Sequence, residues 1–165
     1  MKNIDYLKIL AFEFRKGLDF VVKNKRYGRL TILENFPNGC CRYASDLLAE
    51  YFMSKGISRR RIRVIECETM KEKYTHCWLL IDNVYFVDIS ADQFNGKSYF
   101  KKYEPIPSCY VTHRDKKYLY ECFNCNKMKY LADVGINFYG GDIPMKLQIV
   151  YDEVVQSIER NSKEQ

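Results

Sequence analysis

Residues 39–57, GCCRYASDLLAEYFMSKGI, constrain the fold more than any other stretch, because a glycine and two cysteines run straight into an amphipathic helix. Ala44, Leu47, Leu48, Tyr51 and Phe52 follow the i, i+3, i+4, i+7, i+8 spacing of a helix laid on a core. Phe36-Pro37-Asn38-Gly39 reads as the turn before it, and Lys55-Gly56 as its basic last turn and stop. A helix that starts at the cysteines holds a thiol among unpaired N–H groups at the positive end of the macrodipole. That environment favours thiolate over thiol.

Around this helix the chain changes period. Ile4, Leu7, Leu10, Ala11, Phe14, Leu18 and Val21 predict a first helix over residues 4–24, and residues 30–35 suit a short strand or turn. After Gly56 the residues favour extended chain: 61–67, 76–81 and 84–89 are rich in strand formers, with Asp82-Asn83 as a hairpin turn between the last two. Strands are also expected at 109–112 and 118–120, and irregular chain over 121–143. From Pro144, the spacing of Leu147, Val150, Tyr151, Val154 and Ile158 predicts a last helix, with 161–165 fraying. The expected fold is a single α+β domain over residues 1–165, its cysteine-bearing helix packed on a mostly antiparallel sheet and helices at both termini.

Composition excludes several functions. Asp5, Lys8, Glu13, Arg15, Lys16 and Asp19 interrupt the first segment, so neither a signal peptide nor a membrane-spanning helix is expected there. Seven cysteines, an odd number scattered through predicted helix and strand, do not read as a secreted disulfide framework. A cytoplasmic chain with reduced thiols is the expectation. The net charge of +6 gathers at Arg59-Arg60-Arg61-Ile62-Arg63 and at residues 114–117. Such runs are commonly a solvated face and suit an acidic partner; without a nucleic-acid motif beside them, nucleic-acid binding is not expected.

His76, in His76-Cys77-Trp78, opens one predicted strand, and Asp88 lies near the end of the next, in Phe86-Val87-Asp88-Ile89-Ser90. A hairpin turn at Asp82-Asn83 brings those two side chains to one sheet end. A helix start packed against that edge would add a cysteine thiol, giving nucleophile, base and orienting carboxylate. Periodicity leaves both Cys40 and Cys41 at the borders of the helix stripe. Trp78, two residues after His76, shares its face of the strand and suits a wall that keeps water out. Gln93 suits either substrate binding or fixing of its loop.

This order of helix-borne Cys, strand-borne His and next-strand Asp resembles the transglutaminase-like branch of the papain-like cysteine enzymes. Gly39-Cys40-Cys41 and its helix ending in Gly56-Ile57 resemble that family's G-x-C segment, His76-Cys77-Trp78 its H-x-W, and Asp88-Ile89-Ser90 its Asp-x-Thr, over about residues 37–94. The resemblance implies Cys41 as nucleophile, His76 as base and then acid, and Asp88 as the group that orients the imidazole. It implies no cofactor, and an amide or ester substrate, a peptide or protein amide above all, passed to water or to an amine. Ser90 stands where the family has threonine, a second cysteine adjoins Cys41, and the flanking domains of large transglutaminases are not expected.

The alternative is a non-catalytic binding or inhibitory domain on the same scaffold. Cys109, His113, Cys122 and Cys125 have spacings compatible with a structural zinc, or are simply reduced thiols and a strand histidine.

Overall fold

The apolar stripe of the first segment forms helix α1 (Ile4–Lys23), which buries Leu7, Leu10, Ala11, Phe14, Leu18 and Val21. The computed structural model describes residues 4–116 and 118–163, and the side chain of Cys125 lies outside the described residues. Helix α2 (Cys41–Ser54) buries Ala44, Leu47, Leu48, Tyr51 and Phe52, with Cys40 as its N-cap. Gly39 precedes that cap at a φ of +71°, a left-handed turn that a side chain would strain, so the glycine sets the angle at which α2 begins. Helix α3 (Ile143–Lys163) packs on α1 where a Cβ added to Gly17 would lie 3.0 Å from Val154 and 3.1 Å from Ile158.

Five strands form one antiparallel sheet: β1 (Ile62–Glu68), β2 (Thr75–Ile81), β3 (Tyr85–Asp88), β4 (Tyr110–His113) and β5 (Lys129–Leu131), in the order β4-β3-β2-β1-β5. The chain is thus α+β, with an antiparallel sheet and helices near both ends. Asp82 and Asn83 both take positive φ, +55° and +58°, and Val84 N–H donates to Ile81 O, which closes the β2–β3 hairpin. Two short polar residues tolerate that conformation, as few others do.

Side chains alternate between the two sides of the sheet. Ile62, Val64, Cys77, Leu79, Ile81, Tyr85 and Val87 join the helices in the larger core. Ile65, Cys67, Trp78, Leu80 and Phe86 face a second, aromatic core built with Phe94, Phe100, Tyr120 and Phe123 from the connections. With both faces covered, β2 is apolar along nearly its whole length, as a doubly buried strand should be.

Of the two alternatives at residues 30–35, strand or turn, the chain takes the turn, a 3₁₀ segment at Thr31–Asn35. Local structure departs from expectation in three places. The strand expected at 118–120 is a 3₁₀ segment, Tyr118–Cys122, whose Leu119, Tyr120 and Cys122 plug the aromatic core. The stretch expected to be irregular contributes β5, which pairs Tyr130 with Ile65 at the sheet edge. Helix α3 continues through Lys163, so residues 161–163 are helical rather than frayed, while Glu164 and Gln165 lie outside the described residues. No described helix is long and apolar enough to cross a membrane.

Two polar clusters hold the site-bearing elements in place. The buried Arg15 guanidinium on α1 donates to Ile89 O (2.7 Å), Ser108 O (2.7 Å) and both carboxylate oxygens of Asp92 (2.9 and 2.8 Å). Bidentate pairing of this kind fixes direction as well as distance, so α1 anchors the segment that follows Asp88. On α2, the buried Asp46 carboxylate accepts from Arg42 Nε (2.7 Å), Tyr139 Oη (2.6 Å) and Gly135 N–H (3.1 Å), tying the helix to the chain before α3.

Candidate active site

The first turn of α2 lies over the start of β2. Ser45, one turn after Cys41, donates its hydroxyl to Cys77 O at 3.3 Å and fixes that crossing. Cys40 and Cys41 then part. Cys40 is buried in the helix-side core, and its thiol is pushed up to about 12, first by burial and then by the neighbouring Cys41. Cys41 is half-buried and reaches both the Cys77 thiol and the His76 ring.

The His76 imidazole is completely buried on the aromatic side of the sheet. Its centroid lies 4.9 Å from Phe94, edge to face, 5.6 Å from Trp78 and 5.9 Å from Phe123. His76 Nε2 and Asp88 Oδ2 are 2.6 Å apart. The contact is diagonal: the β2–β3 register pairs Leu79 with Val87, and continued outward it sets Trp78 opposite Asp88 and His76 one pleat further along. Same-face diagonal neighbours are within reach of side chains this long.

Four donors converge on Asp88. Oδ2 accepts from His76 Nε2 and from the Tyr120 hydroxyl at 3.2 Å; Oδ1 accepts from Ser90 N–H at 2.8 Å and from the Ser90 hydroxyl at 3.3 Å. The other ring nitrogen, His76 Nδ1, lies 2.9 Å from Gln93 Nε2, which also donates to Ser90 O at 2.9 Å.

No protein-family model, curated protein or solved structure matches the chain. What the site can do is carried by its own geometry.

The electrostatics of that geometry couple a thiol to an imidazole. The Cys77 thiol, donating to Cys41, is the largest influence lowering Cys41 below the ordinary thiol range; burial opposes it, and His76 adds to the lowering by hydrogen bond and charge. Cys77 is raised in return, by the same hydrogen bond and by burial. Burial works against the imidazolium of His76, but the Asp88 carboxylate and then Cys41 outweigh it, so the last proton leaves the sulfur–imidazole pair only above the usual histidine range. Sulfur and imidazole therefore share one proton, with the carboxylate behind the ring.

Cys41, His76 and Asp88 thus meet at one edge of the sheet, from α2, β2 and the end of β3. Sequence reasoning missed Cys77 and Tyr120 as contributors, and weighed Gln93 for substrate binding or for fixing its loop rather than for contact with the imidazole. Cys77 supplies a thiol donor although its side chain leaves the opposite face of β2 from His76. Tyr120 holds Asp88 from a segment expected to be strand. Gln93 contacts the imidazole itself, and its only sequence signal is a position three residues after Ser90 in a turn-forming stretch.

Of the four residues weighed as zinc ligands, Cys109, His113 and Cys122 do not gather, and among the described residues no cluster of three or more His, Cys, Asp or Glu could hold a metal. Cys109 packs against the helix-side core and Cys122 lies in the aromatic core across the sheet, while the His113 ring sits 4.8 Å from Tyr85. The Cys125 side chain lies outside the described residues.

Proposed function

We propose that this chain carries out thiol-dependent acyl transfer or hydrolysis at an amide or ester bond, in the manner of the transglutaminase-like branch of the papain-like enzymes. The observation that carries the reading is the buried 2.6 Å contact of Asp88 with His76 beside the half-buried thiol of Cys41. Isolated cysteines, histidines and aspartates have ordinary structural uses; a thiol, an imidazole and a carboxylate in series have the division of labour of nucleophilic catalysis.

In this mechanism the Cys41 sulfur attacks the carbonyl carbon, forming the S–C bond while the carbonyl π electrons move to oxygen. The Cys41 backbone N–H, in the first turn of α2 and without an intrahelical acceptor, donates to that oxyanion. The tetrahedral intermediate collapses, the C–N or C–O bond breaks, and His76 gives its Nδ1 proton to the leaving group. The neutral imidazole next takes a proton from water or an amine, which attacks the thioester and releases Cys41. Asp88 stays hydrogen-bonded to Nε2 throughout and stabilises the imidazolium. Trp78, Phe94 and Phe123 around the ring keep the charge pair in a medium where it is worth more than in water. A peptide or protein amide is the proposed substrate, and the exposed Arg59 and Arg60 ahead of β1 suit an acidic partner.

The complete burial of His76 and Asp88 favours one competing reading, a binding domain that keeps the same scaffold without turnover. Iodoacetamide separates the two. On the acyl-transfer reading, peptide-resolved labelling at pH 6 modifies Cys41 roughly tenfold or more faster than a free thiol, because Cys41 keeps thiolate below the ordinary thiol range. The rate should level off, rather than fall steadily, as pH drops from 8 to 6, and His76→Ala should remove that plateau. Labelling that is uniformly slow at Cys41 and tracks an ordinary thiol would favour the binding domain.

A further inference from the structure

Gln93 makes two contacts with one nitrogen, and together they specify where the proton of the sulfur–imidazole pair resides. Ser90 O, 2.9 Å from Gln93 Nε2, can only accept, so it fixes the carboxamide with nitrogen toward Ser90. Turning the amide over would set two oxygens against each other at that distance. The second hydrogen on the same nitrogen then points at His76 Nδ1, also 2.9 Å away. A ring nitrogen that receives an N–H must present its lone pair, so its proton is on Nε2, which faces Asp88 Oδ2 at 2.6 Å.

From this arrangement we propose that Gln93 is a positioning residue that holds His76 as the neutral Nε2–H tautomer and so keeps the shared proton on Cys41 until the carboxamide turns away. The inference rests on the acyl-transfer reading for its consequence, since it names the contact that arms the nucleophile. The tautomer itself can be read without turnover.

The groups that face the ring are few. Asp88 from β3 and Cys41 from α2 both pull a proton toward the imidazole, and Gln93 opposes them from the turn Ala91–Phe94. Trp78, Phe94 and Phe123 are uncharged, Tyr120 acts through Asp88, and Cys77 acts through Cys41. Thiol–imidazole and thiolate–imidazolium carry the same number of protons, so Gln93 changes the height of the thiolate plateau rather than the pH at which it begins. One neutral hydrogen bond shifts such a balance about threefold to tenfold. The same turn is anchored by Arg15 through Asp92, one residue before Gln93, so the carboxamide is presented from a fixed backbone.

Nitrogen-15 spectra of the full chain test the proposal, and with His76 and His113 the only histidines the ring signals are readily assigned. At pH 6.5, His76 should show Nε2 protonated and Nδ1 unprotonated. In Gln93→Met, which removes the donor at similar volume, the Nδ1 signal should move measurably toward its protonated position and the iodoacetamide plateau at Cys41 should rise about threefold to tenfold. Gln93→Leu, which also removes the donor without setting an oxygen against Ser90 O, should move the spectrum the same way, and it serves if the Met variant fails to fold. An imidazolium in the unaltered chain, or a spectrum and plateau unchanged in the variant, would overturn the proposal. Failure of Cys41 to take an acyl group, with the tautomer as stated, would instead count against the acyl-transfer reading alone.

Discussion

Cys41→Ala should lower p-nitrophenyl acetate turnover by at least about 10⁴-fold, while Cys40→Ala leaves it close to that of the unaltered chain. The two thiols are neighbours in sequence but not in environment. Cys41 faces His76 and Cys77, which together draw it toward thiolate; Cys40 is enclosed by the helix-side core, where its thiol stays protonated at any ordinary pH. Removal of the Cys40 sulfur should cost about 1 kcal/mol of stability, the usual penalty for a small deletion in a packed core. Steady-state rates and thermal unfolding of the two variants, measured side by side, separate a chemical loss from a structural one. Loss of turnover in Cys40→Ala with activity retained in Cys41→Ala would reassign the nucleophile.

Asp88→Asn should reduce turnover by about 10⁴-fold with the fold intact, and the hydrogen bonds around Asp88 give the reason. Ser90 N–H and its hydroxyl both point at Oδ1, so the carboxamide must keep its oxygen there and turn its NH₂ toward His76 Nε2 and Tyr120. A ring facing that NH₂ must accept at Nε2 and is driven to carry its proton on Nδ1 against the Gln93 donor, where it cannot take the proton of Cys41. The imidazolium also loses the negative charge that offsets its burial. The plateau in Cys41 alkylation at mildly acidic pH should therefore disappear together with turnover. Turnover within tenfold of the unaltered chain would show that Asp88 does not orient the base.

Some of this site is written in local sequence and some is not. Helices α1, α2 and α3 follow from apolar residues repeating at 3.6-residue intervals, and the β2–β3 hairpin follows from Asp82-Asn83, short polar residues suited to positive φ. Those features are properties of a few adjacent residues. The choice between Cys40 and Cys41 is not, because both border the buried stripe, and only the crossing of α2 over β2, fixed by Ser45, gives one sulfur to the imidazole and the other to the core. Strand β5 was hidden for a related reason: Lys129–Leu131 has one pairing partner, β1, and no alternating pattern long enough to read. Residues 118–120 carry strand-forming side chains, yet Leu119 and Tyr120 gain more by filling the aromatic core from a tight turn. Tyr120 and Gln93 reach Asp88 and His76 only after that core has assembled, so their roles belong to tertiary packing.

The central claim is that Cys41 carries the acyl group, and the most direct measurement is to catch it there. The chain is mixed with p-nitrophenyl acetate, quenched in acid within the first turnover and digested for peptide mass spectrometry. The account predicts one acetyl group, as a thioester on Cys41, formed with release of p-nitrophenolate and strongly diminished in His76→Ala. Acetyl found on another residue, or p-nitrophenolate released with Cys41 unmodified at every time point, would contradict it.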